Sequence, residues 1–293
     1  MILGFSEYDA QARRLAEALG QPYAQVTVHH FPDGESKVTL PDELPSHVVV
    51  CRSLDRPNEK LIELLLTATT ARQLGARRLT LVAPYLCYMR QDVAFHPGEA
   101  VSQLIIGRFL AELFDDVITV DPHLHRTSHL ADAVPATHSL ALSATGVMSD
   151  FLGDKSPDVL LGPDSESLQW VGSIAERGGL NYGVASKKRL GDRHIEIALP
   201  AVDLAEKSII IVDDVVSSGE TVAIAAQQCL ARGAKHVDVL TTHALFAPGA
   251  VERLQAVGVG EVWSTDSIPH VSNVILLADL LAEAVQAITD SHR

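Results

Sequence analysis

Strand, helix, strand is written twice along this chain, and the two copies can be laid over each other. In the first, HVVVC (His47 to Cys51) is a short apolar run, NEKLIELLLTATTARQLGA (Asn58 to Ala76) is long and helical, and RLTLVAPY (Arg78 to Tyr85) is a second strand ending near proline. In the second, SIIIVDD (Ser208 to Asp214), ETVAIAAQQCLARGA (Glu220 to Ala234) and HVDVLTTHALF (His236 to Phe246) repeat the order. Aligning LGARRLTLVAP with RGAKHVDVLTT brings Gly75 onto Gly233. Strands joined through a crossover helix run parallel, and a parallel sheet needs helices on both faces. The pattern therefore predicts two α/β domains of common design, dividing at 1–143 and 144–293. The final stretch ADLLAEAVQAITDSHR predicts a helix free to pack back on the N-terminal domain.

A chain of 293 residues, 47% hydrophobic and 20% charged, suits two such cores better than one. Cys51, Cys87 and Cys229 lie far apart with no CxxC pair, which predicts reduced core thiols and neither a disulfide framework nor a cysteine zinc site. The formal charge of −14 argues against a broad nucleic-acid surface. A local cluster such as SKKR (Ser186 to Arg189) still suits a phosphate, because charge placement matters more than the total. MILGFSEYDA lacks the basic flank and long apolar run of a signal peptide, and no membrane-spanning run follows. The expected compartment is the cytoplasm.

In an open parallel sheet, ligands gather beyond the carboxyl ends of the strands. IIIVDDVVSSGET (Ile209 to Thr221) ends such a strand on two adjacent carboxylates, Asp213 and Asp214. Gly219 allows a tight turn, Ser217, Ser218 and Thr221 bring hydroxyls, and the following helix brings free N–H groups, a combination that cradles a phosphate. Neither GxxxxGK[ST] nor GxGxxG is present. Carboxylates ahead of a phosphate cradle suit a phosphorylated sugar whose hydroxyls donate to them. The plainer alternative, in which the acids only end the strand and Ser218 caps the helix, needs one acid and not two.

This stretch resembles the phosphoribosyl-diphosphate (PRPP) loop of type I phosphoribosyltransferases. Three others resemble PRPP synthetase (ribose-phosphate diphosphokinase) signatures in that family's order: HHFPDGESKVTLP (His29 to Pro41), PYLCYMRQD (Pro84 to Asp92) with FHPGEAVS (Phe95 to Ser102), and VITVDPH (Val117 to His123). LGPDSESLQW (Leu161 to Trp170) and SKKRL fall where the family has its second acidic loop and its catalytic basic residues. The resemblance implies an α/β fold of two phosphoribosyltransferase-like domains, each a mainly parallel sheet flanked by helices. It also implies transfer of diphosphate from MgATP to ribose 5-phosphate, giving PRPP and AMP.

Residue by residue, the resemblance assigns ATP to Phe31, Asp33, Glu35, Arg90, Gln91, Asp92 and His123, and ribose 5-phosphate to Asp213, Asp214, Ser217, Ser218, Gly219 and Thr221. Lys187 and Arg189 match the catalytic pair, and Mg²⁺ falls to His123 and Asp164. In the family the first hairpin serves the neighbouring subunit's site, which implies a homo-oligomer. The side-chain chemistry agrees: Phe31 suits stacking on a purine, Arg90 suits bidentate contact with polyphosphate, and Asp164 offers the hard oxygen that Mg²⁺ takes. PDG alone also predicts an ordinary turn, and Arg90 alone an exposed ion pair. Asp121, His123 and His125 alternate, so on a strand they would share a face, a spacing that also admits zinc. Pro122 departs from the family, which has an aliphatic residue there. A phosphoribosyltransferase, or a non-catalytic synthetase-like regulatory partner, are the competing readings.

Overall fold

The structure, a computed structural model, describes residues 1–124, 126–189 and 195–291, with only the backbone for 187–189, 195 and 196. The chain divides into two compact units, 1–142 with 277–293, and 143–276.

The first unit runs β1 (Ile2–Gly4), α1 (Asp9–Ala18), β2 (Tyr23–Gln25), the hairpin strands β3 (Thr27–His30) and β4 (Ser36–Thr39), β5 (His47–Cys51), α2 (Pro57–Gln73), β6 (Arg78–Val82), α3 (Ser102–Leu113), β7 (Asp116–Val120), the short α4 (Leu130–Ala133) and β8 (His138–Leu142). Its sheet has the order β2-β1-β5-β6-β7-β8 with every neighbour parallel. The central strands are buried along nearly their whole length, as expected of a sheet covered on both faces. On α2 the inward residues Lys60, Leu61, Glu63, Leu64, Thr67, Ala68 and Ala71 follow the helical period. Two of these inward residues are charged, which an apolar stripe does not foretell.

The second unit runs α5 (Thr145–Gly153), β9 (Val159–Gly162), α6 (Leu168–Gly178), β10 (Asn181–Val184), the hairpin strands β11 (Ser186–Arg189) and β12 (Ile195–Ala198), β13 (Ser208–Val215), α7 (Glu220–Ala231), β14 (His236–His243), α8 (Ala250–Ala256), β15 (Val262–Thr265) and β16 (Asn273–Ile275). Its sheet is β10-β9-β13-β14-β15-β16, again all parallel. The two sheets share one strand order, and each unit inserts its antiparallel hairpin at the same point, between the second and third strands of its sheet.

The closing helix α9 (Ala278–Asp290) groups with the first unit and packs on α1, burying Leu281, Ala282, Ala284, Val285 and Ile288. The division at 143/144 leaves this helix in the second half of the chain but free to pack back on the first domain. Its apolar stripe is legible in the sequence, but a stripe does not say which sheet it covers. Cys51, Cys87 and Cys229 are buried thiols in no disulfide. Burial pushes the Cys87 thiol up to about 12 and the Cys229 thiol up to about 11, so neither is a ready nucleophile. Among the described residues no helix is long and apolar enough to cross a membrane.

Two local packings hold the first unit together. At the amino ends of β5 to β8, the fully buried Asp116 accepts from Arg78 Nε (2.8 Å) and Nη2 (2.6 Å), Thr80 Oγ1 (2.8 Å) and His138 Nδ1 (2.8 Å). On α3, Gly107 lies so close to α4 that a Cβ would meet the Ala133 carbonyl oxygen at 1.8 Å. Backbone cannot yield as a side-chain tip can, so Gly107→Ala is expected to cost about 3 kcal/mol or more. Urea unfolding would read this as a lower midpoint, and an unchanged midpoint would show that α3 and α4 separate freely.

Candidate functional site

The second unit collects its carboxylates where its strand order reverses. Strands β9 and β13 are neighbours, Leu161 pairing with Ile211, and both run out at their carboxyl ends into loops that bear acids. After β9, Asp164 caps a short turn by accepting from the Glu166 N–H at 3.1 Å. On β13, Asp213 is half-buried with its carboxyl group enclosed, and Asp214 is buried. The Asp213 carboxyl is pushed well above the usual carboxylate range, first by burial and then by the negative charges of Asp214 and Asp164. A group held this way gains most from a partner that donates hydrogen bonds or positive charge.

The loop that follows is shaped for an anion. Gly219 takes φ +72° at the start of α7, a left-handed turn that other residues rarely adopt, and its carbonyl opens the helix by accepting from Ala223 N–H (2.8 Å). Ser217 and Thr221 are half-buried and Ser218 is exposed. Ser218 Oγ accepts only a long bond, 3.4 Å, from the Glu220 N–H, which leaves the cap weakly made. The loop is buttressed from outside: Arg253 of α8 donates to the Ser218 carbonyl (2.7 Å), Ala247 N–H to the Ser217 carbonyl (3.0 Å), and Thr241 Oγ1 to the Asp214 carbonyl (3.2 Å). Lys187 and Arg189 lie on β11, paired with Ile197 and Ile195 of β12. Their side chains, and residues 190–194, lie outside the described residues.

In the first unit the hairpin β3–β4 carries Phe31, Asp33 and Glu35 at its tip, all exposed. Phe31 N–H donates to the Glu35 carbonyl (2.8 Å), and Asp33 Oδ1 accepts from the Glu35 N–H (3.2 Å), so the turn expected at PDG is present. Phe31 is 42% exposed, and its ring makes a T-shaped contact with His29, centroids 4.8 Å apart.

Arg90 and Gln91 lie on the loop after β6, the first exposed and the second half-buried. Asp92, a residue expected at ATP, is paired within the chain. Its side chain is 2% exposed, with Oδ1 accepting from Arg126 Nη1 (2.7 Å) and Oδ2 from the Arg126 N–H (3.1 Å). Gln103 makes a second strut, donating to the Met89 carbonyl (3.0 Å) and accepting from Thr127 Oγ1 (2.9 Å). These two bridges tie the loop after β6 to the loop after β7, which holds His123. The strand on which Asp121 and His123 would share a face does not reach them: β7 stops at Val120 and Asp121 has φ +37°. A proline at 122 cannot donate to a ladder, which is the physical reason the strand ends there. His125 lies outside the described residues.

Comparison with known proteins agrees with the fold. Residues 1–113 match the N-terminal domain of ribose phosphate pyrophosphokinase, and residues 197–292 match the phosphoribosyl synthetase-associated domain. The ribose-phosphate pyrophosphokinase of Methanopyrus kandleri is 34% identical over 290 residues, covering 98% of each chain. The chain belongs to the ribose-phosphate pyrophosphokinase family. The Saccharolobus solfataricus pyrophosphokinase is likewise 34% identical, over 92% of this chain and 93% of its own. The phosphoribosylpyrophosphate synthetase of Mycobacterium smegmatis shares the fold, with a TM-score of 0.84 over 99% of both chains at 23% identity.

Within this pyrophosphokinase chain, sequence reasoning missed Arg126, Gln103 and Arg253. Arg126 stands in the HLHR run beside His123, a weak signal of a loop partner. Gln103 and Arg253 sit on helices with no local mark, because their partners, the Met89 carbonyl and Thr127 hydroxyl for Gln103 and the Ser218 carbonyl for Arg253, are brought near by folding.

Proposed function

We propose that this chain transfers the β,γ-diphosphate of MgATP to the anomeric hydroxyl of ribose 5-phosphate, releasing PRPP and AMP. The observation that carries the reading is the cluster Asp164, Asp213 and Asp214 opening directly onto the Ser217 to Thr221 loop, in a chain that matches its relatives end to end. Asp213 and Asp214 accept from the ribose hydroxyls, while the loop N–H groups and the hydroxyls of Ser217, Ser218 and Thr221 surround the 5-phosphate. The anomeric oxygen then lies ready for in-line attack on the β-phosphorus, with AMP as leaving group. No protein nucleophile is needed.

Arg90, Gln91 and Asp92 take ATP, with Arg90 on the polyphosphate. Phe31 stacks on the adenine while Asp33 and Glu35 bond to it, from a hairpin offered to a neighbouring subunit of a homo-oligomer. Lys187 and Arg189 stabilise the charge that spreads over the transferred group. The negative charges gathered about Asp213 suit a hard divalent cation, to which Asp164 offers an oxygen; His123 is the second residue given to metal or phosphate. Mg²⁺, when bound, supplies charge neutralisation on the phosphates. The compartment that suits these substrates is the cytoplasm.

Incubation with Mg²⁺, ATP and ribose 5-phosphate is expected to yield AMP and PRPP in equal amounts. Formation of ADP in place of AMP, or no turnover at all, would sink the reading.

A further inference from the structure

The two units share one strand order, so the place that holds carboxylates in the second unit has a counterpart in the first: the carboxyl ends of β1 and β5. That counterpart is filled. Arg52, immediately after β5, is 3% exposed and lies over the Phe5 ring with 3.8 Å from guanidinium carbon to centroid. Its Nε donates to Glu7 Oε1 (2.7 Å), its Nη1 to the Lys60 carbonyl (3.4 Å) and its Nη2 to Glu63 Oε2.

Glu63 is the next link. It projects inward from α2 and is 1% exposed. Its second oxygen, Oε1, accepts from His30 Nε2 (2.7 Å) and from Ser36 Oγ (3.0 Å). His30 and Ser36 face each other in the hairpin register and are the last pair before the tip that carries Phe31, Asp33 and Glu35. One carboxylate oxygen therefore grips both strands at the root of the tip. Burial alone would raise the Glu63 carboxyl, yet the bonds from His30, Arg52 and Ser36 together hold it below its ordinary range. A two-stranded ribbon is marginal by itself in water and takes its orientation from what it docks on.

We infer that Glu63, itself held by Arg52, is a positioning residue that fastens the β3–β4 hairpin in the orientation its nucleotide-binding tip requires. The inference rests on the reading of that tip as an adenine site. Where the second unit keeps its switch point open for a sugar, the first has closed its own to lock a hairpin. Preorganising a loop raises affinity by removing the cost of ordering it at the moment of binding. Loss of the fastening should therefore act on ATP and spare ribose 5-phosphate.

The test uses the double variant His30→Ala with Ser36→Ala, which frees the hairpin and leaves the buried Arg52–Glu63 pair intact. Glu63→Gln serves as a second variant that keeps the shape and removes the charge. Amide exchange and steady-state kinetics are read on the full chain. The expected result is faster exchange confined to residues 27–39, a KM for ATP raised about tenfold and a KM for ribose 5-phosphate within about twofold. Unchanged exchange in 27–39 overturns the inference, as does faster exchange with an unaltered KM for ATP, or an equal rise in both KM values. Should the wild-type chain make no PRPP and AMP, the proposed reaction fails on that result, while the exchange comparison still decides whether Glu63 fastens the hairpin.

Discussion

Asp213→Asn is expected to lower turnover by about two orders of magnitude or more while raising the melting temperature of the ligand-free protein. The kinetic loss follows from positioning: an acceptor hydroxyl displaced from its line of attack forfeits about 10²-fold or more. The stability gain follows from the burial of its carboxyl beside Asp214 and Asp164. A carboxyl whose folded pKa lies above its unfolded value contributes stability that is fully present below the unfolded pKa and is lost as pH rises through the folded one. At neutral pH, without Mg²⁺ or sugar, the titratable Asp213 carboxyl therefore opposes folding, and an amide does not. Thermal melts in chelator should show the variant above the wild type at neutral pH, with the gap narrowing as pH falls. A variant that melts lower than the wild type at every pH would show that the three carboxylates are already compensated within the fold.

Asp116→Asn is expected to do the reverse, destabilising strongly with little effect on either KM. Four donors meet this fully buried carboxylate, from Arg78, Thr80 and His138. Burial by itself would raise the group, but the bonds from Arg78, His138 and Thr80 outweigh it and hold the carboxyl below its usual range. Removing one partner of a buried ion pair costs about 3–5 kcal/mol. The low end applies here, about 3 kcal/mol, because the Arg78 side chain keeps 22% of its surface in water. In a unit of this size that lowers the melting temperature by roughly 10 °C. The sign with pH is opposite to that of Asp213: a depressed carboxyl contributes stability above its unfolded pKa and loses it as pH falls through the folded value. The deficit of the variant should thus be full at neutral pH and shrink in acid. A deficit that persists unchanged in acid would assign the cost to packing and not to charge.

These two carboxylates differ in how legible they were. Asp213 stands beside Asp214 at the end of an aliphatic run, and adjacent acids on a buried strand are anomalous enough to be noticed. Asp116 opens β7 as an ordinary strand-start acid. Its partners come from β6 and β8, so nothing local marks it as buried. The hairpin tip was legible because Pro-Asp-Gly is a turn by backbone chemistry. The root of the same hairpin was not, because Glu63 looks like any helix-surface glutamate until α2 is seen to turn it toward His30 and Ser36. Asp92 is assigned to ATP by resemblance, but its pairing with Arg126 was not legible, because Arg126 belongs to the loop after a different strand.

The amino-acid sequence alone determined the repeated strand–helix–strand order, the parallel sheets that order requires, the acid-ended strand with its glycine turn, and the kinship carried by those motifs. All of these are properties of short stretches, where side-chain period and turn chemistry act within a few residues. Only the tertiary structure decided that both sheets share one strand order, that Asp164 shares a switch point with Asp213, that α9 returns to the first unit, and that Arg52 and Glu63 fill the counterpart site. Each of those depends on which distant segments meet, and a buried charge shows its role only through the partner that folding brings to it.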